Sequence, residues 1–132
     1  MAKSWLAPLP YPPASAAYAR KFKVLVGGEG AGSAMGMHGT DILDSQVLWD
    51  ATMADSLSRL LKTSPRPLVL LLSGRFHSEG RLGTVEQLLN AQPRVHVCVV
   101  TVVSSSNSTF DPKTHTGLGD FVILTPACKP SG

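Results

Sequence analysis

The chain has 132 residues, enough for one core and too few for two, because a domain typically needs roughly 100–150 residues. Charged residues make up 16% of it and there are 12 glycines and 10 prolines, a composition that is apolar, loop-rich and globular. The formal net charge of +3 is scattered from Lys3 to Lys129, with only Arg20, Lys21 and Lys23 clustered. That gives little support for the basic face on which nucleic-acid binding depends, and no nucleic-acid partner is expected. No apolar run approaches the roughly 20 residues of a membrane span, so a soluble protein is expected.

Residues 1–21 read as a proline-rich, disordered lead-in. Pro8, Pro10, Pro12 and Pro13 interrupt any continuous apolar stretch, so no secretory signal is visible. The Ala/Ser/Arg content without acids suits an organelle transit peptide, a plastid one included, and equally a plain leader. Phe22–Val26 reads as a short strand, and the glycines from Gly27 to Gly39 as a loop. A dinucleotide-binding reading of that loop fails: the GxGxxG spacing is not met, no helix follows promptly, and no acid ends a second strand.

From Asp44 to Lys62 the sequence has a Ser/Asp start, no internal Gly or Pro, and Pro65 and Pro67 beyond its end, which predicts a helix. Leu68–Leu72, Val95–Val103 and Phe121–Leu124 are continuous apolar runs, and Thr84–Ala91 is a second short helix. Runs apolar at every position suit strands covered on both faces, and their alternation with helices predicts α/β, a mainly parallel sheet with flanking helices. The domain is expected over residues 22–128, with 129–132 a tail. Ser104–Thr109 is a polar loop. Cys98, one of two cysteines, lies inside an apolar run and is expected to be a small buried hydrophobe.

Two places carry chemistry. On the predicted helix Val47, Ala51, Ala54, Leu57 and Leu61 form the apolar side, and Asp50 and Gln46 fall within it. A carboxylate on such a face costs desolvation unless donors or a cation meet it, so Asp50 is either held structurally or is part of a site. Gln46 and Asp50 are one turn apart and project together near the helix start. The second place is the turn Ser73-Gly74-Arg75-Phe76-His77 after the Leu68–Leu72 run. A histidine at the carboxyl end of a strand can hold a metal or haem iron, or move a proton. Gly80 and Gly83 are expected to meet backbone needs; Arg75 and Arg81 are either anion ligands or solvated. His96, alternating with valines, reads as structural, whereas His38 and His115 are undetermined.

In order and spacing, Gln46-Val47-Leu48-Trp49-Asp50-Ala51-Thr52-Met53-Ala54, then Gly74-Arg75-Phe76-His77, Gly83, and Gly119-Asp120-Phe121-Val122-Ile123-Leu124-Thr125-Pro126 resemble the C-terminal half of the ChaN-like, haem-binding uptake/Tiki superfamily domain. The resemblance spans about Asp41–Ala127. It implies an α/β domain binding haem, an iron-containing ligand or a divalent metal in a crevice at the C-terminal edge of the sheet. His77, with Gly74, carries the family's GxxH motif, with His77 the metal ligand, and Gln46 and Asp50 its helix pair; no catalytic residue is assigned. Relatives carry a Gly-Glu-x-His motif and a long helical region before this helix, of which Glu29 after Gly28 is a partial echo. A truncated domain, one needing a missing N-terminal half or a second copy as partner, is therefore expected. The rival readings are a metal-dependent hydrolase or protease of Tiki type and an inert fragment or interaction module.

Overall fold

The computed structural model describes residues 5–26, 39–63, 65, 67–106 and 109–127. The first element corrects the sequence reading, because Ala16–Val26 is a helix, α1, where the end of a disordered lead-in and a strand over Phe22–Val26 were expected. Ser15 starts it: its Oγ accepts from the Tyr18 backbone N–H at 3.1 Å, the bond of a helix N-cap, and Ala, Arg and Lys follow. Tyr18 and Phe22, one turn apart, are buried and pack on the Phe76 ring at centroid distances of 5.2 and 6.3 Å. A strand at Phe22–Val26 would separate that pair onto a different repeat, so burial of two aromatic rings overrides the β preference of Val24 and Val26. The apolar residues left over, Val24 and Leu25, face solvent.

Helix α2 covers Gly39–Leu61, beginning five residues ahead of the predicted Asp44 and ending one before Lys62. Its buried side carries Val47, Asp50, Ala51, Ala54 and Ser58. The small side chains there let α3, Thr84–Ala91, approach with Val85 and Leu88 buried between the two helices. Beyond the end of α3, Gln92 donates from Nε2 to Ser58 Oγ at 2.9 Å and pins it to α2.

Among the described residues the sheet has two strands, β1 (Val100–Ser105) and β2 (Phe121–Pro126), paired in parallel with Val100 opposite Phe121 and Ser105 opposite Pro126. A short helix, α4 (Pro112–His115), lies in the crossover, started by Asp111, whose side chain accepts from the Lys113 N–H. The fold is thus a small α/β domain with a parallel sheet. Thr101 and Val103 point to the core, whereas Val100, Val102, Phe121 and Ile123 lie exposed on the opposite face.

Two expected strands change. Val95–Val103 becomes regular only from Val100, and the strand continues through Ser104 and Ser105, expected to be loop. Leu68–Leu72 joins no sheet: its backbone makes no hydrogen bond to any described residue, and Leu68 is fully exposed. The other candidate for a neighbouring strand, Phe22–Val26, is spent in α1. Between Leu68–Leu71, residues 94–100 and the flanks of α2 and α3 lies an apolar cavity of about 610 Å³. Cys98 sits on its lip and is exposed, against expectation, for want of a strand to cover it; His96 is exposed beside it. No helix among the described residues is long and apolar enough to cross a membrane.

Candidate functional site around Asp50 and His77

The structure brings together three elements of chain that lie far apart in sequence. Asp50, in the middle of α2, is 1% exposed. Thr84, the first residue of α3, donates from Oγ1 to Asp50 Oδ1 at 2.6 Å. Tyr18, from α1, donates its phenol to Asp50 Oδ2. His77, which closes a 3₁₀ turn over Arg75–His77, places Nδ1 at 3.0 Å from Asp50 Oδ1. A carboxylate only accepts, so Nδ1 carries a ring proton; Nε2, which holds the lone pair in the neutral ring, makes no hydrogen bond to any described residue. The expected burial of Asp50 is met, and the donors that relieve its desolvation are two hydroxyls and one imidazole.

The turn that carries His77 is fastened from two sides. The Lys21 ammonium, one turn beyond Tyr18 on α1, donates to the Phe76 and Glu79 carbonyls at 2.8 and 2.9 Å and stands 4.9 Å above the Phe76 ring. Burial lowers the Lys21 pKa from its usual value, against the upward pull of Glu79 and Asp50. Burial also pushes the Tyr18 phenol far above the tyrosine range, with the hydrogen bond to Asp50 adding to it, so that hydroxyl remains a donor. On the far side Gly80 N–H donates to the Leu118 carbonyl, while Arg81, held at φ 60°, donates to the Val97 carbonyl and to Asp120. Arg81 therefore ties the turn to the approach to β2, and Arg75 pairs with Glu79 at 2.6 Å.

Gly83 has φ +60°, and a Cβ there would meet the His77 carbonyl at 2.8 Å and Asp50 Oδ2 at 2.9 Å. Gly80, at φ +71°, likewise needs a backbone that favours glycine. Gly74 is different: its carbonyl accepts from the His77 N–H at 3.0 Å, and a Cβ would make only ordinary contact with the His77 ring. Gln46 lies one turn before Asp50 on α2, half-buried, and joins none of the bonds around Asp50 and His77. His115 is buried, with Nδ1 accepting from the Asp111 N–H, a local structural role. Glu29 and His38 lie outside the described residues.

Sequence reasoning singled out Asp50 and His77, which the fold brings into contact, but not Tyr18, Lys21 and Thr84, which pack around them. The available signal was Ser15 followed by Ala-Ala-Tyr-Ala-Arg-Lys, a capped start followed by strong helix formers. The large cavity borders Ser78 and Thr84, next to the pair, without including His77, and it runs alongside Leu68–Leu71.

A buried carboxylate on α2 thus orients an imidazole that lies just beyond an apolar run, in a small α/β domain. The model of the family described as haem-binding uptake, Tiki superfamily, ChaN matches residues 1–88, and the chain belongs to that family. The match begins at Met1, ahead of the Asp41–Ala127 span that the motifs suggested, and takes in α1 as well as the Asp50 helix and the His77 turn, but it ends before Gly119–Pro126. No curated protein and no solved structure matches the chain.

Proposed function

We propose that this protein binds haem or a closely related iron-containing ligand, with His77 Nε2 as the iron ligand and Asp50 as the group that fixes its ring. The observation that carries the reading is the Asp50–His77 hydrogen bond, which commits Nδ1 inward and leaves Nε2 as the donor. Family membership supports haem as the ligand class. A bound haem would supply its iron's redox and ligand chemistry. The protein's own residues orient one imidazole, and the Asp50 carboxylate behind it would help to balance the positive charge of a bound iron. Gly74 supports this by accepting from the His77 N–H, and Gln46 borders the same turn of α2.

A metal-dependent hydrolase of Tiki type is the second reading. Catalytic metal centres usually use about three protein ligands, whereas among the described residues no three of His, Cys, Asp and Glu converge. Haem needs only one imidazole from the chain, and His77 is the residue proposed to supply it. Titrating the protein with haemin tests the proposal: a shifted Soret band is expected, lost or strongly weakened in His77→Ala. An identical spectrum in that variant would remove His77 from the site. Saturable zinc binding that depends on His77, with no haemin response, would favour the hydrolase.

A further inference from the structure

The Asp50 carboxylate serves three donors with one charge. Oδ2 takes the Tyr18 phenol, and Oδ1 takes both Thr84 at 2.6 Å and His77 at 3.0 Å, so the imidazole shares its acceptor carboxylate with two hydroxyls. A carboxylate given wholly to one imidazole N–H draws its proton outward and makes the opposite ring nitrogen a stronger electron donor. Hydroxyls that share the same carboxylate reduce that pull. Tyr18 cannot turn to water instead: it is 1% exposed, with its ring against Phe76.

We infer that Tyr18 is a positioning residue that acts through Asp50, holding the His77 Nε2 lone pair to a moderate donor strength by taking half of the carboxylate. The phenol donates to Asp50 Oδ2 and His77 to Oδ1, so the influence of Tyr18 on the ring passes through the shared carboxylate. Thr84 acts in the same sense from Oδ1. The charges around the cluster come from every packed element: Lys21 on α1, Arg75 and Glu79 on the His77 turn, and Glu86 on α3. Lys21 is occupied by the Phe76 and Glu79 carbonyls, which leaves Asp50 to be satisfied by neutral hydroxyls and by the ring. The effect on His77 stands on the geometry alone; its consequence for iron rests on the haem reading above.

The test reads the ring before any ligand is added. In nitrogen-15 and proton NMR of the ligand-free protein, Tyr18→Phe is expected to move the His77 Nδ1–H proton downfield with the ring in the same tautomer. Replacing Tyr18 by 3-fluorotyrosine, in a Tyr11→Phe background where it is the only tyrosine, keeps the hydroxyl and strengthens its donation. This should move the same proton upfield. The fluorinated protein decides the matter should Tyr18→Phe not fold. With haemin bound, the reduction potential should fall in Tyr18→Phe. Unchanged His77 resonances in a folded variant, or shifts of the same sign in both, would overturn the inference. Normal ring shifts with no haemin response would instead count against the haem reading and leave the role of Tyr18 standing.

Discussion

Gly83 and Asp50 meet so closely that any side chain at position 83 would force a shift: a Cβ would lie 2.9 Å from Asp50 Oδ2 and 2.8 Å from the His77 carbonyl. The glycine therefore sets how near the start of α3 can approach the site. Gly83→Ala must move either the carboxylate or the His77 turn, and it forces φ +60° on alanine. A loss of about 2 kcal/mol or more in chemical denaturation is expected. A variant as stable as the parent would mean that the turn is slack.

Asp50→Ala and Asp50→Asn separate the structural from the functional share of the carboxylate. Truncation to Ala leaves Tyr18, Thr84 and His77 without their acceptor and should cost about 3 kcal/mol or more. Asn keeps the shape but lacks the charge, so it should weaken haemin binding by about 10- to 100-fold. Unaltered affinity in a folded Asp50→Asn protein would assign Asp50 to stability alone.

Lys21→Met keeps the stem of the side chain and removes the ammonium that holds the Phe76 and Glu79 carbonyls. The expected loss is about 1–3 kcal/mol, with faster hydrogen exchange concentrated in the turn from Phe76 to Arg81. Uniformly faster exchange throughout the chain would contradict a local clamp.

Tyr18 predicts an alkaline effect. Its folded pKa lies above the ordinary 10.0, so the folded protein keeps a proton that the unfolded chain releases. Tyr18 thus contributes stability that is complete below pH 10.0 and is lost as the pH climbs beyond it. In a Tyr11→Phe protein, tyrosinate absorbance should therefore appear together with unfolding and not before. Tyrosinate developing near pH 10.0 with native circular dichroism would show a solvated phenol.

Asp120→Ala tests the tie between the His77 turn and the sheet, since Asp120 Oδ2 accepts from the Val99 N–H at 2.7 Å and from Arg81 at 2.9 Å. The ion pair is exposed, so the backbone bond carries most of an expected loss of about 1 kcal/mol. A matching loss from Arg81→Ala would shift that weight to the ion pair.

By itself the sequence determined what depends on neighbours along the chain. The spacing of apolar residues placed the two helices that frame the site and put Asp50 on a face where it had to be buried and met by donors. The end of an apolar run placed His77 in a turn, and Phe121–Leu124 became the strand β2. Gly80 and Gly83 were legible as backbone requirements. Tertiary packing decided the rest. It drew Phe22–Val26 into α1, because burying Tyr18 and Phe22 on Phe76 outweighs a local preference of well under a kcal/mol per residue. That choice left Leu68–Leu72 without a described strand beside it, although its composition is that of a buried strand. It also supplied Tyr18 and Lys21 to a site 32 residues and more downstream. Contacts across such separations have no period that a single sequence can display, because what selects them is the joint burial of groups that meet only after folding.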